Sequence, residues 1–125
     1  MPRNWVSFAL FSLPIVAVRI EGTIVRALVD TGASQSLNDP RLVKQLALAE
    51  EGAASIIGIM SLPIQVPLVS LSRVSMAQHL LKPFKAGIVD LTNLRIGIQL
   101  VLGINAFSGY RLQFDFSEGR LYLLQ

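Results

Sequence analysis

Short apolar runs separated by turn residues follow one another along most of the chain. The run LPIVAVRI at residues 13–20 is joined by Glu21-Gly22 to the run TIVRALV at residues 23–29. Two apolar runs that flank a two-residue turn ending in glycine are typical of a β-hairpin. The pattern therefore predicts a hairpin whose second strand ends immediately before Asp30.

Later stretches share the same composition of short apolar runs bounded by turn residues. They are residues 54–76, a second predicted hairpin that turns near residues 58–63; residues 84–91; residues 96–103; and residues 110–116 with 120–125, a hairpin closed by Ser117-Glu118-Gly119. The run at residues 96–103 is almost continuously apolar, which predicts a strand that is buried on both faces.

Helical signals are confined to two short segments. Asn38 or Asp39 can cap a helix over residues 40–48, and Pro40 suits its first position. The apolar face of this helix consists of Leu42, Val43 and Leu46. Residues 104–109, INAFSG, predict one further helical turn. The predicted fold class is therefore all-β with one or two short helices.

The length and composition indicate a single domain over residues 1–125. A chain of 125 residues is long enough for one hydrophobic core and too short for two ordinary ones. Hydrophobic residues make up 52% of the chain and charged residues 15%, which excludes disorder and leaves apolar surface for a partner. We therefore expect association with another chain.

The charged and metal-binding residues exclude two classes of function. The net charge is +3, but the 11 Lys and Arg residues are scattered from Arg3 to Arg120 without forming a run, so no nucleic-acid partner is predicted. Cysteine is absent and His79 is the single histidine, so no metal site is predicted. We expect His79 in a loop or at the surface.

Two uncharged stretches are poor candidates for membrane segments. Residues 4–18 follow Arg3 as a signal peptide would, but Pro14 interrupts the run and no small-residue cleavage site follows. Residues 52–72 contain two prolines and four serines, which do not suit a spanning helix. No membrane binding is predicted. A cytoplasmic location is favoured, with a domain cut from a longer or membrane-anchored chain as the alternative.

The stretch RALVDTGASQSL at residues 26–37 is the strongest chemical signal. Of the eight acidic residues, only Asp30 lies where an apolar strand runs into a turn of small residues. Gly32 permits a tight turn and close approach to the carboxylate, and the Thr31 hydroxyl can fix the loop by hydrogen bonds. Asp90 and Asp115 have no neighbouring glycine, and we expect them to be structural or solvated carboxylates.

Two motifs carry a resemblance to a known family. ALVDTGAS at residues 27–34 resembles the active-site motif of aspartic proteases. VLGINAF at residues 101–107 resembles the second signature of the retroviral type, an apolar pair followed by glycine and then Asn or Asp. Both motifs occur in the expected order and together span most of the chain. The chain thus resembles a single-domain, cellular or bacterial retropepsin-type protease, which implies a closed barrel or sandwich of short strands.

The resemblance also implies a reaction and a partner. Aspartic proteases hydrolyse peptide bonds with two carboxylates that share one proton, because like charges ~3 Å apart cannot both ionise. This chain supplies one such carboxylate, so the resemblance implies a homodimer with Asp30 of each subunit at the two-fold axis. The nucleophile is water, and no cofactor or metal is expected. The alternative is a non-catalytic dimeric peptide-binding module, for which the intact DTGA motif would have no use.

Roles for single residues follow from the same resemblance. Thr31 resembles the residue that grips the partner's loop, and Gly32 resembles the residue whose backbone supports the carboxylate. The remaining predicted site residues contact the polypeptide substrate: they are Ala33 and Ser34, beside its backbone, and Ile57, Gly58 and Ile59, in a flap that closes over it. The position of the flap tip is open. Apolar residues here, with Met60, predict apolar side chains on both sides of the cut bond.

One departure from the retroviral pattern concerns the dimer. Many retroviral enzymes have an acid and an arginine that form an ion pair near the interface, at the positions of Ser34 and Ile104. Losing one partner of a buried pair strands a charge, whereas replacing both can be nearly neutral. We therefore predict a dimer held by apolar packing, with WVSFAL (residues 5–10) and LYLLQ (residues 121–125) as interface strands, and association that is nearly independent of salt.

Overall fold

The computed structural model describes residues 3–56 and 63–125. About half of these residues lie in short strands and few lie in helices, which confirms the predicted fold class. The strands are β1 (Trp5–Ser7), β2 (Ile15–Ile20), β3 (Thr23–Val29), β4 (Ser36–Asn38), β5 (Glu50–Ile56), β6 (Ile64–Leu71), β7 (Val74–Met76), β8 (His79–Leu80), β9 (Phe84–Ile88), β10 (Leu100–Leu102), β11 (Arg111–Asp115) and β12 (Arg120–Leu124). The helices are α1 (Pro40–Gln45) and two 3-10 turns, Thr92–Leu94 and Ile104–Phe107.

The described strands form two sheets. A nine-stranded sheet has the order β5-β6-β9-β4-β10-β3-β2-β7-β8, and a three-stranded sheet has the order β1-β12-β11. Over the described residues no pairing joins β5 to β8, so closure into a barrel is not found in that part of the chain. None of the helices in the same residues is long and apolar enough to cross a membrane.

The first predicted hairpin is confirmed. Strands β2 and β3 pair antiparallel, from Ile15 opposite Leu28 to Ile20 opposite Thr23. The turn residues Glu21 and Gly22 both have positive φ, 51° and 87°, as a type I′ turn requires. The hairpin therefore ends with Asp30 directly after β3.

The β7–β8 hairpin lies at the edge of the large sheet, and its turn contains no glycine that would have predicted it. Strands β7 and β8 are joined by Ala77 and Gln78, which both have positive φ, 52° and 66°. This tight turn places His79 in a strand, half-buried, with its ring centroid 5.5 Å from that of Tyr110. The expectation of a loop position for His79 was wrong for this reason.

Strand β10 is inserted between β3 and β4. It pairs parallel with β3 and antiparallel with β4, with Val101 opposite both Leu28 and Leu37. All three residues of β10 are buried, as predicted. The strand is shorter than the predicted residues 96–103, because Gly97 has a left-handed φ of 67° that interrupts the extended backbone.

Two apolar clusters lie on opposite faces of these central strands. The larger cluster includes alternate residues of β3 and β10, namely Val25, Ala27, Val29, Leu100 and Leu102. The smaller cluster is centred on Leu91, Ile98 and Val101, and the partly buried Leu28 and Leu37 pack against it. Because side chains alternate along a strand, Leu28 and Val101 point away from the larger cluster.

Helix α1 begins where predicted and ends earlier. Asp39 is its N-cap, and the helix ends at Gln45. Ala47 then takes a left-handed φ of 53°. The Leu48 N–H donates to the Val43 carbonyl at 3.0 Å, which closes a Schellman-type helix end. This role usually falls to glycine, so alanine gave no signal and the predicted end at residue 48 was wrong.

A buried carboxylate ties the start of α1 to the loop after β9. Asp39 is 4% exposed and accepts hydrogen bonds from Arg41 Nη2 at 2.8 Å and from the Leu91 N–H at 2.9 Å. Arg41 also bonds the Asp90 carboxylate at 3.0 Å. Burial acts to raise the pKa of Asp39, but the hydrogen bonds from Arg41 and Leu91 and the charge of Arg41 outweigh it and lower the pKa below 3.8.

We predict that the ionised carboxylate of Asp39 stabilises the fold near neutral pH and that this contribution is lost in acid. Because its pKa is lowered in the folded state, the ionised carboxylate stabilises the fold above about pH 4, and this contribution is lost as the pH falls through the lowered pKa. Asp39→Asn keeps the helix cap without the charge. Its free energy of unfolding should lie below that of the wild type near neutral pH, and the gap should close in acid.

Urea unfolding of both proteins between about pH 7 and about pH 3 measures this gap. The control is Glu51→Gln, which removes an exposed carboxylate of β5. A gap between Asp39→Asn and the wild type that stays constant or widens in acid would contradict the assignment.

Candidate active site

The loop that carries Asp30 crosses over the end of β10. The Asp30 N–H donates to the Leu102 carbonyl at 2.9 Å, which continues the parallel pairing of β3 with β10. A second hydrogen bond lies further along both segments: the Ile104 N–H donates to the Ala33 carbonyl at 2.8 Å. The loop is therefore fixed to β10 at both its beginning and its middle.

The Asp30 carboxylate receives one backbone hydrogen bond. The Gly32 N–H donates to Asp30 Oδ1 at 3.1 Å, and the Ala33 N–H donates to the Asp30 carbonyl at 3.1 Å. A Cβ on Gly32 would lie 3.3 Å from the same carboxylate oxygen, closer than most real contacts allow. The structure thus brings Asp30, Gly32 and Ala33 together in one compact turn, with Asp30 half-buried.

Two other predicted site residues lie on the outside of this turn. Thr31 and Ser34 are exposed. Within residues 3–56 and 63–125, neither hydroxyl makes a hydrogen bond, so both are available to another molecule. Their roles toward a partner loop and a substrate backbone stay predictions.

A side-chain network beneath the loop holds it to the second motif. The Ser36 hydroxyl donates to Asn105 Oδ1 at 2.7 Å, and the Ser36 N–H donates to the same oxygen at 3.0 Å. The Ser36 oxygen accepts from the Gly103 N–H at 3.0 Å. Asn105 Nδ2 and Gln35 Nε2 both donate to the Lys85 carbonyl of β9, each at 2.8 Å. The two motifs are therefore joined through side chains as well as backbone.

The sequence predicted no site role for any single residue of this network. Ser36, Gln35 and Lys85 carry no local signal, because their partners are distant along the chain. Asn105 does carry one, since it belongs to the second motif, VLGINAF. Its partner in the structure is Ser36, which lies two residues after the first motif and which the sequence did not indicate.

Gly103 allows β10 to end directly beneath the aspartate loop. A Cβ at this position would lie 2.6 Å from the Ala33 carbonyl oxygen and 2.9 Å from the Gln35 carbonyl carbon. Both atoms belong to backbone, so neither can rotate aside. The glycine of the second motif is thus required by space and not by a special φ, since its φ is −83°.

Asp30 shares its face of the sheet with an apolar row. Alternation along β3 places Asp30 on the same face as Leu28. Leu28 is opposite Val101, and Val101 is opposite Leu37, so the three residues follow one another across β3, β10 and β4. Leu28 and Leu37 are partly exposed. The carboxylate therefore lies beside an apolar surface that another molecule can reach.

Strands β5 and β6 are the arms of the predicted flap, and they reach the apolar row on the face of the sheet. The predicted tip of the flap lies outside the described residues. Strands β5 and β6 pair antiparallel as far as Ile56 opposite Ile64. A Cβ built on Gly87 would lie 3.0 Å from Val66, 3.5 Å from Leu37 and 3.9 Å from Ile56, so the arms pack beside the row. The predicted flap residues Ile57, Gly58, Ile59 and Met60 fall within residues 57–62, of which nothing is described.

Asp90 and Asp115 are structural carboxylates, as expected. Hydrogen bonds from the Thr92 side chain and backbone, and then from Arg41, lower the pKa of Asp90. Hydrogen bonds from Ser117 and Glu118 likewise lower the pKa of Asp115 in the β11–β12 turn. Across residues 3–56 and 63–125, no three His, Asp or Glu side chains come close enough to hold a metal ion.

The fold and the site together define a class of protein. The Asp-Thr-Gly loop lies across the end of an inserted strand in a fold that retropepsin-like aspartic proteases share. The chain is similar to a retropepsin-like aspartic protease from Rickettsia conorii, with a TM-score of 0.62 and 16% identity over 95% of this chain and 87% of that one. It is also similar to the retroviral protease-like domain of Ddi1 from Leishmania major, with a TM-score of 0.58 and 15% identity over 91% and 95%.

The structural similarity to these two proteins establishes the fold. A match to a family model establishes the family. The model for aspartyl proteases matches residues 16–106, which include the first motif and all but the last residue of the second. The chain belongs to the aspartyl protease family. The comparison with curated proteins gives no match. Family and fold together point to a peptidase.

We predict that Gly103→Ala displaces the aspartate loop. The new Cβ would meet the Ala33 carbonyl oxygen at 2.6 Å, and we expect a loss of about 1–3 kcal/mol in the free energy of unfolding together with loss of peptidase activity. Gly52→Ala is the control: its Cβ would meet nothing within 4 Å, but its φ of 86° imposes a backbone cost. Equal stability and activity of the two variants would refute the steric requirement at Gly103.

Proposed function

We propose that this protein is an aspartic endopeptidase that hydrolyses peptide bonds within polypeptides. The observation that carries the proposal is the Asp30 carboxylate, which receives the Gly32 N–H at 3.1 Å at the end of β3. The carboxylate lies beside the apolar row of Leu28, Val101 and Leu37. A single acid held in this way has no evident structural task, in contrast with Asp39.

The proposed catalytic unit is a homodimer. General acid–base hydrolysis by this route needs two carboxylates that share one proton, and one chain offers one carboxylate in an Asp-Thr-Gly turn. A two-fold axis beside Asp30 brings the second carboxylate from the partner subunit with no further residue required. In this dimer Thr31 contacts the partner's loop across the axis, and the exposure of Thr31 supports that role.

The chemistry of the two carboxylates follows from this arrangement. The ionised carboxylate of one subunit accepts a proton from water while the water oxygen bonds to the scissile carbonyl carbon. The carbonyl oxygen takes up the electron pair and the proton of the other carboxyl group, which gives a tetrahedral diol. The C–N bond then breaks as the protonated carboxyl group gives its proton to the leaving nitrogen and one diol hydroxyl gives its proton to the other carboxylate. The products are an acid and an amine, and the pair again holds one proton.

The substrate binds between the sheet and the hairpin of β5 and β6. In this proposal the Ala33 and Ser34 backbone meets an extended peptide, and the hairpin closes over it and excludes water. The apolar row and the arms at Ile56 and Val66 form the walls. We infer that apolar side chains on both sides of the cut bond are preferred. The rival function is peptide binding without catalysis, which leaves Asp30 without a use.

We predict that Asp30→Asn abolishes cleavage while the chain stays folded and dimeric. Asparagine keeps the shape of the side chain but cannot share a proton, so we expect the peptidase rate to fall by at least about 10³-fold. Asp115→Asn is the matched control, because it makes the same replacement in the β11–β12 turn. Cleavage by purified Asp30→Asn at the wild-type rate would refute the catalytic assignment.

A dilution experiment and a mixing experiment test whether the active site is shared by two subunits. Wild-type activity per chain should fall on dilution, because the dimer dissociates. Activity per wild-type chain should also fall when Asp30→Asn is added, because mixed dimers hold one carboxylate only. Constant specific activity down to concentrations at which sedimentation shows monomer alone would exclude the dimeric site and leave the peptidase assignment intact.

The apolar walls give a prediction about specificity. A peptide library should show apolar residues on both sides of the cut bond, and Leu37→Ala should lower kcat/KM for the best peptide by about tenfold. The control is Leu94→Ala, which removes a more exposed leucine from the 3-10 turn after β9. A library that favours charged flanking residues would show that the apolar row is not part of the substrate site.

A further inference from the structure

Strand β2 has one edge that a neighbouring strand covers only in part. On the side away from β3, strand β7 pairs with β2 at Arg19 and Ile20 alone. From Ile15 to Val18, no strand of the described residues pairs with β2 on that side. A strand edge that is left open in this way offers unpaired backbone groups to another chain.

Ala17 carries the backbone groups that the open edge leaves unpaired. On the β3 side, the Val29 N–H donates to the Pro14 carbonyl. On the β7 side, the Glu21 N–H donates to the Arg73 carbonyl at 3.2 Å. Because bonding to the two sides alternates along an antiparallel strand, Ala17 faces the β7 side, as Glu21 does. Ala17 is exposed, and within the described residues its N–H and C=O have no hydrogen-bond partner.

The tight turn between β7 and β8 leaves Ala17 uncovered. If the register of Arg19 with Ser75 continued, Ala77 would lie opposite Ala17. Ala77 and Gln78 instead have φ values of 52° and 66°, and the chain turns back into β8. A positive φ is uncommon in residues other than glycine, and such strain is concentrated at functional sites. The strained turn therefore keeps the edge of β2 open.

The open edge lies in a groove of the surface. Two depressions, of about 440 Å³ and about 480 Å³, meet at Ala17 and follow β2 from Ile15 to Arg19. We call them together the β2 groove. Residues 6–9 and 75–78 flank it, so the groove has room for one extended segment. Its apolar floor consists of side chains that are at most 7% exposed, namely Val6, Val18 and Met76.

Three arginines surround the β2 groove, and no acidic residue lines it. They are Arg3, Arg19 and Arg26. Arg3 is held at the rim by Trp5, whose ring centroid lies 4.4 Å from the guanidinium carbon. Over residues 3–56 and 63–125, none of the three arginines forms a salt bridge. Their positive charge is therefore complementary to an acidic partner.

We propose that the β2 groove binds an extended, acidic segment of another polypeptide, which adds to β2 as a further strand. Ala17 shares the outer face of the sheet with Arg19 and Arg26. Alternate side chains of the bound segment lie on that face, and the others lie over the apolar floor. The matching segment therefore alternates acidic and apolar residues. The site does not use Asp30, so the proposal stands apart from the peptidase assignment.

The backbone of Ala17 favours a polypeptide over other acidic partners. A nucleic acid or an anionic lipid surface would satisfy the arginines, but neither has N–H and C=O groups at the spacing of a strand. An extended polypeptide satisfies both the arginines and the open edge. The free part of β2, from Ile15 to Val18, is about 13 Å long at the usual rise of a strand, so about four residues of the segment pair with it.

The test measures binding of a short, fluorescently labelled peptide that alternates Glu and Val. The chain carries Asp30→Asn, so that the peptide is not cleaved. Fluorescence anisotropy should show binding, and Arg19→Glu should raise the dissociation constant by about tenfold or more, because it reverses a charge beside the peptide. The matched control is Arg111→Glu, which makes the same reversal at an exposed arginine of β11 and should leave the constant unchanged.

A second measurement tests strand addition itself. Methyl groups on alternate backbone nitrogens of the peptide remove the N–H groups of one edge and keep every charge. Of the two alternate patterns, the one that faces β2 should abolish binding. Hydrogen exchange of the Ala17 amide should also slow when the unmodified peptide binds, because its N–H gains a partner.

Four results would overturn the proposal. The first is equal binding of a Glu-Pro repeat of the same charge, which would show charge attraction without a strand. The second is protection of the amides of residues 30–34 with none at Ala17, which would place the peptide in the proposed active site. The third is binding of oligothymidylate or phosphatidylserine vesicles, but not of the peptide. The fourth is a dimer that dissociates with Arg19→Glu, which would assign the β2 groove to a second copy.

Discussion

The close crossing of Gly103 beneath the aspartate loop is the constraint on which the site depends. The space for a side chain at this position is already filled by the backbone of Ala33 and Gln35. Because β10 can end so close to the loop, it can bond to both sides of it, through Leu102 to Asp30 and through Ile104 to Ala33. The rigidity of the carboxylate therefore comes from a strand that is distant in sequence and buried on both faces.

The acidic residues of the chain show two different ways to hold a carboxylate. Asp39 accepts hydrogen bonds from Arg41 and Leu91 and is nearly inaccessible, so its charge is satisfied within one chain. Asp30 accepts one N–H, from Gly32, and remains half-exposed beside apolar residues. Such a carboxylate keeps most of its hydrogen-bonding capacity for another molecule, which is a property that chemistry requires and that structural stability does not.

The sequence predicted those features that depend on local chemistry. The Glu21-Gly22 turn, the strands of the hairpins and the position of Asp30 after β3 follow from neighbouring residues. It failed where the backbone took an unusual conformation without glycine, as at Ala47 and Ala77. Features that depend on distant partners were also out of reach, as the bond between Ser36 and Asn105 illustrates.

Asn38 is a further case in which local sequence was uninformative. It was considered as a helix cap, but Asp39 takes that role and Asn38 lies at the end of β4, fully buried. Neither its side-chain oxygen nor its nitrogen finds a hydrogen-bond partner among residues 3–56 and 63–125. An unpaired buried amide costs about 1–3 kcal/mol. A propensity argument could not have foreseen this, because the cost depends on what β9 and β10 place around it.

Asp30 lies at the border of two apolar surfaces, and this explains why one chain leaves both of them open. The row of Leu28, Val101 and Leu37 lies on the face of the sheet, and the exposed Leu13 and Ile104 lie on the two sides of the Asp30 loop. Under the proposed function the substrate covers the first and the second subunit covers the second. Substrate binding and dimerisation each remove water from around the carboxylate, and charges interact more strongly where water is excluded. The coupling between two carboxylates that share a proton is therefore strongest only when both surfaces are covered, which ties efficient catalysis to the assembled complex.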